Sequence, residues 1–207
     1  MEELVILQHN ALNWKTRSHE LMNIYNKTNP EVILLNSTCL KQNERLKMFN
    51  YNTYQRNIKD ELHAGIAIAI RKDIKHRILD DTTDDLLAVE LDTTRGPVVI
   101  CTLYIPPRRS LLPVQDLMKF IRQNKPVYVI GDINANHTSL GNNTCNTRGR
   151  AINNLIQRNL VYHIGPNFDT WFHTTRTGRP DIVLANQNIH HNITITEEPI
   201  TTSVIYL

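Results

Sequence analysis

Short apolar runs alternate with segments whose apolar residues recur at three- and four-residue intervals, so the chain reads as a mixture of strands and helices. "LVILQHN" (4–10) and "EVILLNS" (31–37) are buried strands with polar ends. Between them, "WKTRSHELMNIYNKT" (14–28) brings Trp14, Leu21 and Tyr25 to one helix face. The following "NP" stops that helix, because proline excludes the residue before it from helical backbone. "AGIAIAIRK" (64–72), "DLLAVELDT" (85–93) and "GPVVICTLYIPP" (96–107) come in close succession, separated by turn-forming Asp, Thr, Gly and Pro. Such short links join neighbouring strands rather than crossovers. The pattern then changes: "LPVQDLMKFIRQ" (112–123) is a helix, "PVYVIGD" (126–132) a strand, and "NTRGRAINNLIQRN" (146–159) a helix with Ile152, Leu155 and Ile156 on one face. "RPDIVLAN" (179–186) and "HNITIT" (191–196) are two more strands. Strands outnumber helices by about two to one, which predicts an α/β fold.

Composition narrows the class without choosing a function. The 207 residues fit one domain with a substantial core, and 41% apolar with 21% charged residues is ordinary for a globular protein. Lys and Arg number 23 against 20 Asp and Glu, a mildly basic balance compatible with a polyanion partner. Cys39, Cys101 and Cys145 are odd in number and widely spaced, which supports neither a disulfide framework nor a zinc site. The amino terminus lacks the basic and long apolar regions of a secretory signal, and no apolar run is long enough for a membrane span. The expectation is an intracellular, monomeric protein without membrane contact.

Chemistry is concentrated where strands end. Strand 4–10 ends in Gln8, His9 and Asn10, strand 31–37 in Asn36 and Ser37, and strand 126–132 in Asp132, with Asn134 two residues on. Tyr104 stands near the end of 96–107. Asn, Asp and Ser favour turns for local hydrogen-bonding reasons, so any one of these alone is a turn residue. Convergence at one rim of a sheet would instead build a polar site.

The ordered set "ILQHNALN", "NPEVILLNSTCL", "HAGIAIAIRKDI", "GPVVICTLYIPP", "PVYVIGDINANHTSLG", "NTRGRAINNLI" and "RPDIVLAN" resembles the endonuclease/exonuclease/phosphatase superfamily from about Leu4 to Ser203. The resemblance is nearest to the apurinic-type endonuclease domains of non-LTR (LINE-like, jockey or I-type) retrotransposons, and "GDINANH" is its most specific element. It implies a four-layer α/β sandwich, two mostly antiparallel sheets packed face to face with flanking helices. It also implies hydrolysis of a phosphodiester in double-stranded DNA with Mg²⁺ or Mn²⁺, in the nucleus, beside a downstream reverse transcriptase in a polyprotein. By resemblance, Asp132 orients or deprotonates the attacking water, Asn134 and Asn10 bind phosphate oxygens or support the metal, and Tyr104 contacts the scissile phosphate. Asp181 orients the family's catalytic histidine. Arg108 and Arg109 of "PPRR", Arg148 and Arg150 of "NTRGR", and His137 are the candidate substrate contacts.

Two departures from the family pattern bear on activity. Ser37 stands where the family carries its principal metal-binding glutamate, and a hydroxyl lacks the charge a hard divalent ion favours. "ITTSVIYL" stands in place of Ser-Asp-His and a further strand, with Val204 and Ile205 at the Asp and His positions. The expectation is one domain over 1–207 lacking its last strand, with an open sheet edge and impaired cleavage. Of the other histidines (His9, His163, His173, His190 and His191 among them), none is as near the Asp132 motif as His137. A silent remnant or a nucleic-acid-binding module of the same fold is the alternative. A different phosphoester, in RNA or a phospholipid head group, remains open.

Overall fold

The structure is a computed structural model that describes residues 4–58, 64–80, 83–109, 111–174, 176–188, 193–198 and 202–206. In chain order the elements are β1 (Val5–Asn10), α1 (Trp14–Thr28), β2 (Val32–Asn36), β3 (Tyr51–Arg56), β4 (Ile66–Arg71), β5 (His76–Ile78), β6 (Leu86–Thr93) and β7 (Gly96–Leu103). They continue with α2 (Val114–Ile121), β8 (Val127–Asp132), α3 (Thr147–Gln157), β9 (Tyr162–Gly165), β10 (Trp171–His173), β11 (Arg176–Gly178), β12 (Asp181–Ala185), β13 (Thr194–Glu198) and β14 (Thr202–Tyr206).

Two six-stranded sheets form, ordered β13-β14-β1-β2-β4-β3 and β5-β6-β7-β8-β12-β9, with β10 and β11 as a separate hairpin. Only the β1–β2 and β7–β8 pairs are parallel, and α1 and α2 supply the long crossovers those pairs require. The four-layer α/β sandwich implied by the resemblance is what the chain adopts.

Side-chain alternation explains the layers. Ile66, Ile68 and Ile70 of β4 join Val32, Leu34, Val89, Ile100, Tyr128 and Ile130 in the core between the sheets. Ala67 and Ala69, on the opposite face, lie under Trp14, Leu21 and Tyr25 of α1. The "IAIAI" repeat thus puts bulk where two sheets must fill the space between them and small groups where a helix approaches. Each buried Ile contributes roughly 1.5–3 kcal/mol relative to exposure. On the far side, Val99, Cys101 and Val129 pack against Leu117 and Phe120 of α2 and Ile152 and Leu155 of α3.

The helices fall where the periodicity predicts. Asn13 caps α1 by accepting from Lys15 N at 3.1 Å, and Asn29 closes it with a left-handed backbone (φ 44°) before Pro30. β3 has no apolar run: "YNTYQR" is half-buried throughout, and its strand character comes from six register pairs with β4.

The last strands of the chain join the first sheet beside β1, and β13 forms its edge. β14 runs antiparallel to β1, with Val204 opposite Leu7 and Ile205 opposite Ile6, and β13 lies beyond it. Val204 and Ile205 therefore stand inside a strand rather than at the rim, and residues 199–201, which join β13 to β14, lie outside the described residues. Among the described residues no helix is long and apolar enough to cross a membrane.

Candidate active site

Because β1, β2, β7 and β8 end at the same rim, the polar residues that terminate them meet there. Asp132 ends β8 and Asp181 begins β12, and the antiparallel register sets them directly opposite one another. Gly131, just before Asp132, cannot carry a side chain: a Cβ there would lie 2.0 Å from the Leu103 carbonyl oxygen. That close approach is the physical content of the "GD" pair.

Amides stitch the two sheets together around these acids. Asn10 Nδ2 donates to Asp132 Oδ2 at 2.8 Å, and Asn134 donates to Asp132 Oδ1 from Nδ2 at 2.8 Å and from its backbone N–H at 3.2 Å. Gln8 Nε2 reaches Asp181 Oδ1 at 2.9 Å and Asn36 Oδ1 at 3.2 Å. Asn36 is the hub: its Oδ1 also accepts from Asp132 N–H at 2.9 Å, while its Nδ2 donates to Thr102 Oγ1 at 3.1 Å.

The acids are almost wholly buried, at 5% and 8% exposure. Burial raises both carboxyl pKa values, and the neighbouring Asp181 charge raises that of Asp132 further, against the opposing pull of the Asn134 and Asn10 hydrogen bonds and the Arg148 charge. A proton held at pH 7 by one member of the pair is the electrostatic consequence.

The remaining candidates divide. Tyr104 follows β7 but is 3% exposed, packed into the core between the sheets. Ser37 is fully buried with φ 53°, and its Oγ lies 3.8 Å from Cys39 Sγ. Arg148, read from sequence as a phosphate contact, is buried, and its guanidinium donates to the carbonyls of Ile105 (3.4 Å), Pro106 (2.9 Å) and Arg109 (2.8 Å). It fastens the loop after β7 rather than facing solvent. Arg109 pairs with Asp85, whereas Arg108 and Arg150 are exposed. His137 Nδ1 accepts from Ser139 N–H at 3.1 Å and so caps the short 3-10 turn Thr138–Leu140. His9, next to Gln8, faces the opposite side of β1; burial, then the Arg17 charge, push its pKa down to about 3. The side chain of His173, and residues 190 and 191 altogether, lie outside the described residues.

Asn146 was not singled out from sequence. Its Oδ1 accepts from Gly149 N–H (2.8 Å) and Asn136 N–H (3.1 Å), and its Nδ2 donates to the Asn134 carbonyl at 2.7 Å. A Cβ on Gly149 would come within 1.9 Å of the Asn136 carbonyl oxygen, so this glycine lets α3 dock against the loop after β8. The signal was an Asn directly before a helical pattern, where a cap is expected.

The donor set does not complete a site for a hard divalent cation. Ser37 turns toward Cys39 where the family pattern has a carboxylate, and among the described residues no three His, Cys, Asp or Glu side chains gather to hold an ion.

A two-sheet sandwich with a buried acid pair and converging amides at one rim defines a class, the fold of the endonuclease/exonuclease/phosphatase proteins. The endonuclease domain of TRAS1, a telomere-specific non-LTR retrotransposon, shares that fold with a TM-score of 0.78 at 15% identity, over 98% of this chain and 96% of that one. Residues 7–189 match the Endonuclease/Exonuclease/phosphatase family, and the chain belongs to it. It is 26% identical over 143 residues to the RNA-directed DNA polymerase from mobile element jockey of Drosophila funebris, covering 67% of this chain. It is 27% identical over 209 residues to the probable RNA-directed DNA polymerase from transposon X-element of Drosophila melanogaster, covering 96% of this chain. The chain spans 16% and 23% of those two proteins' lengths.

Proposed function

We propose that this chain is a DNA endonuclease domain of non-LTR retrotransposon origin that cleaves a phosphodiester slowly. The observation that carries the reading is the buried Asp132–Asp181 pair, held by Asn10, Asn134 and Gln8 at the rim of a fold shared with the TRAS1 endonuclease domain. In this reading Asp132, in its ionised state, accepts a proton from the attacking water, the departing sugar oxygen takes a proton from solvent as the P–O bond breaks, and Asp181 holds Gln8, which donates to Asn36. Asn10 presents its second amide hydrogen to a phosphate oxygen when substrate enters, while Asn134, whose amide hydrogens go to Asp132 Oδ1 and the Ile105 carbonyl, holds Asp132 in place. Family enzymes draw on a divalent cation; here the residues around Ser37 do not form its site, and no step above depends on one. Double-stranded DNA in the nucleus is the substrate this origin implies, with a reverse transcriptase as a neighbour in the same polyprotein.

Ser37 favours a second reading, a catalytically silent nucleic-acid-binding module of the same fold. Nicking of supercoiled plasmid with Mg²⁺, with Mn²⁺ and with chelator separates the two. Slow nicking, roughly 10²–10⁴-fold below a complete acid–base site and abolished by Asp132→Ala, supports the endonuclease. Equal traces of nicking by both proteins leave only the silent module.

A further inference from the structure

Sheet one ends at β3, and beside that edge lies a cavity of about 560 Å³. It opens between β3 and the β5–β6 end of the other sheet, at the same rim as the acids. Arg56, the last residue of β3, is opposite Ile66, which is opposite Asn36. Leu87, on the other wall, is opposite Thr102, the hydroxyl partner of Asn36. Two strand spacings place the Arg56 backbone roughly 10 Å from that of Asn36.

The lining combines two chemistries. Arg45, Lys47 and Arg56 supply positive charge, with no Asp or Glu among the described lining residues, and Tyr54, Ile78 and Leu87 supply an apolar floor. The adjacent acid, Glu44, turns its carboxylate to Lys15 Nζ and Lys41 N–H. His76 Nδ1 donates to the Ile74 carbonyl at 2.7 Å and Nε2 lies 2.9 Å from Tyr54 OH, which fixes the Tyr54 ring.

Of the three amide side chains lining the cavity, Gln55 and Asn57 are engaged elsewhere, and Gln42 is exposed at its mouth. Gln55 Nε2 donates to the Glu44 carbonyl and to Asn57 Oδ1, both at 2.8 Å, and Asn57 Nδ2 donates to the Lys41 and Glu44 carbonyls. Stacking and charge dominate the lining, and neither discriminates strongly among bases.

We propose that this cavity holds one unpaired nucleotide of a nucleic-acid strand crossing the rim, its base on the Tyr54–Ile78–Leu87 floor and its phosphate among Arg45, Lys47 and Arg56. The proposal rests on the reading that the rim acts on nucleic acid, and it adds a preference for a melted or frayed strand over a closed duplex.

Fluorescence anisotropy with a short oligothymidylate and with a blunt duplex of equal length tests it, using the full chain and the Arg45→Glu/Lys47→Glu variant. Arg45 and Lys47 are exposed, so their reversal leaves the fold intact. The double reversal is expected to weaken oligothymidylate binding roughly tenfold and to lower its salt slope by about 0.7, the share of the one phosphate held there. Duplex binding should change less than about threefold, since a closed duplex offers no base to stack. No measurable oligothymidylate binding by the unmodified chain, no loss on double reversal, or an equal loss for duplex and single strand would each overturn the proposal. Absence of nicking together with a selective loss of oligothymidylate binding supports the cavity and rejects the hydrolase reading of the rim.

Discussion

Asp132 and Asp181 face each other across the β8–β12 ladder, two like charges buried on adjacent strands and compensated chiefly by side-chain amides. Like charges placed directly opposite destabilise a sheet, so this pair opposes folding when both are ionised.

Asp132→Asn therefore stabilises the protein at pH 7 while removing any hydrolysis. Because the folded pKa of Asp132 is raised above its unfolded value, the folded state holds the extra proton, and stability falls as pH rises from about 4 through the raised value. The Asn variant lacks that fall. Urea denaturation at pH 5 and pH 8 should show a gain of at least about 1 kcal/mol at the higher pH, one pKa unit being worth about 1.4 kcal/mol.

His9 acts in the opposite direction. Its folded pKa of about 3 lies below the unfolded value, so the unfolded chain binds the extra proton and stability is lost as pH falls below about 6.5. The slope attributable to this one group approaches about 1.4 kcal/mol per pH unit. His9→Leu should flatten the denaturation midpoint between pH 6 and pH 4, whatever it does to absolute stability; an unchanged slope would show that His9 is not the titrating group.

Arg148→Met should remove about 3 kcal/mol, because it leaves carbonyls of the loop after β7 without their charged donor. Hydrogen exchange reads the consequence locally: the Arg109 amide, bonded to the Pro106 carbonyl at 3.0 Å, should lose protection ahead of β7. Uniform loss across the sheet would point to general destabilisation instead.

Val204→Asp with Ile205→His should not restore a catalytic pair. Those positions face Leu7 and Ile6, both fully buried, along a strand with neighbours on both sides. Replacing two strand-favouring β-branched residues with an acid and an imidazole there is expected to cost about 1 kcal/mol or more in stability, with no gain in plasmid nicking. A gain in nicking would relocate the end of β1 relative to the rim.

Much of the layering was legible in the chain because alternation carries it. The Ile–Ala pattern of 66–70 and the continuous apolar runs of 32–35 and 127–130 specify strands covered on both faces, and the Trp14, Leu21 and Tyr25 spacing specifies the helix over one of them. β3 and β10–β11 escaped because the side chains described there are half-buried or exposed, and pairing rather than periodicity makes them strands.

The sequence by itself determined which residue types end the strands, and the "GDINANH" segment marked where the acid and its amides would stand. Local order also encodes Asn13 and Asn146 as helix caps, since a cap depends on the few residues that follow it. Tertiary structure alone decided that Asp181, far along the chain, comes opposite Asp132, that Asn36 joins the sheets, and that Arg148 turns inward to a loop. It also decided that Val204 and Ile205 lie within a strand beside β1. Strand register and sheet-to-sheet packing are set by the summed burial of many distant side chains, and no short window of sequence contains that sum.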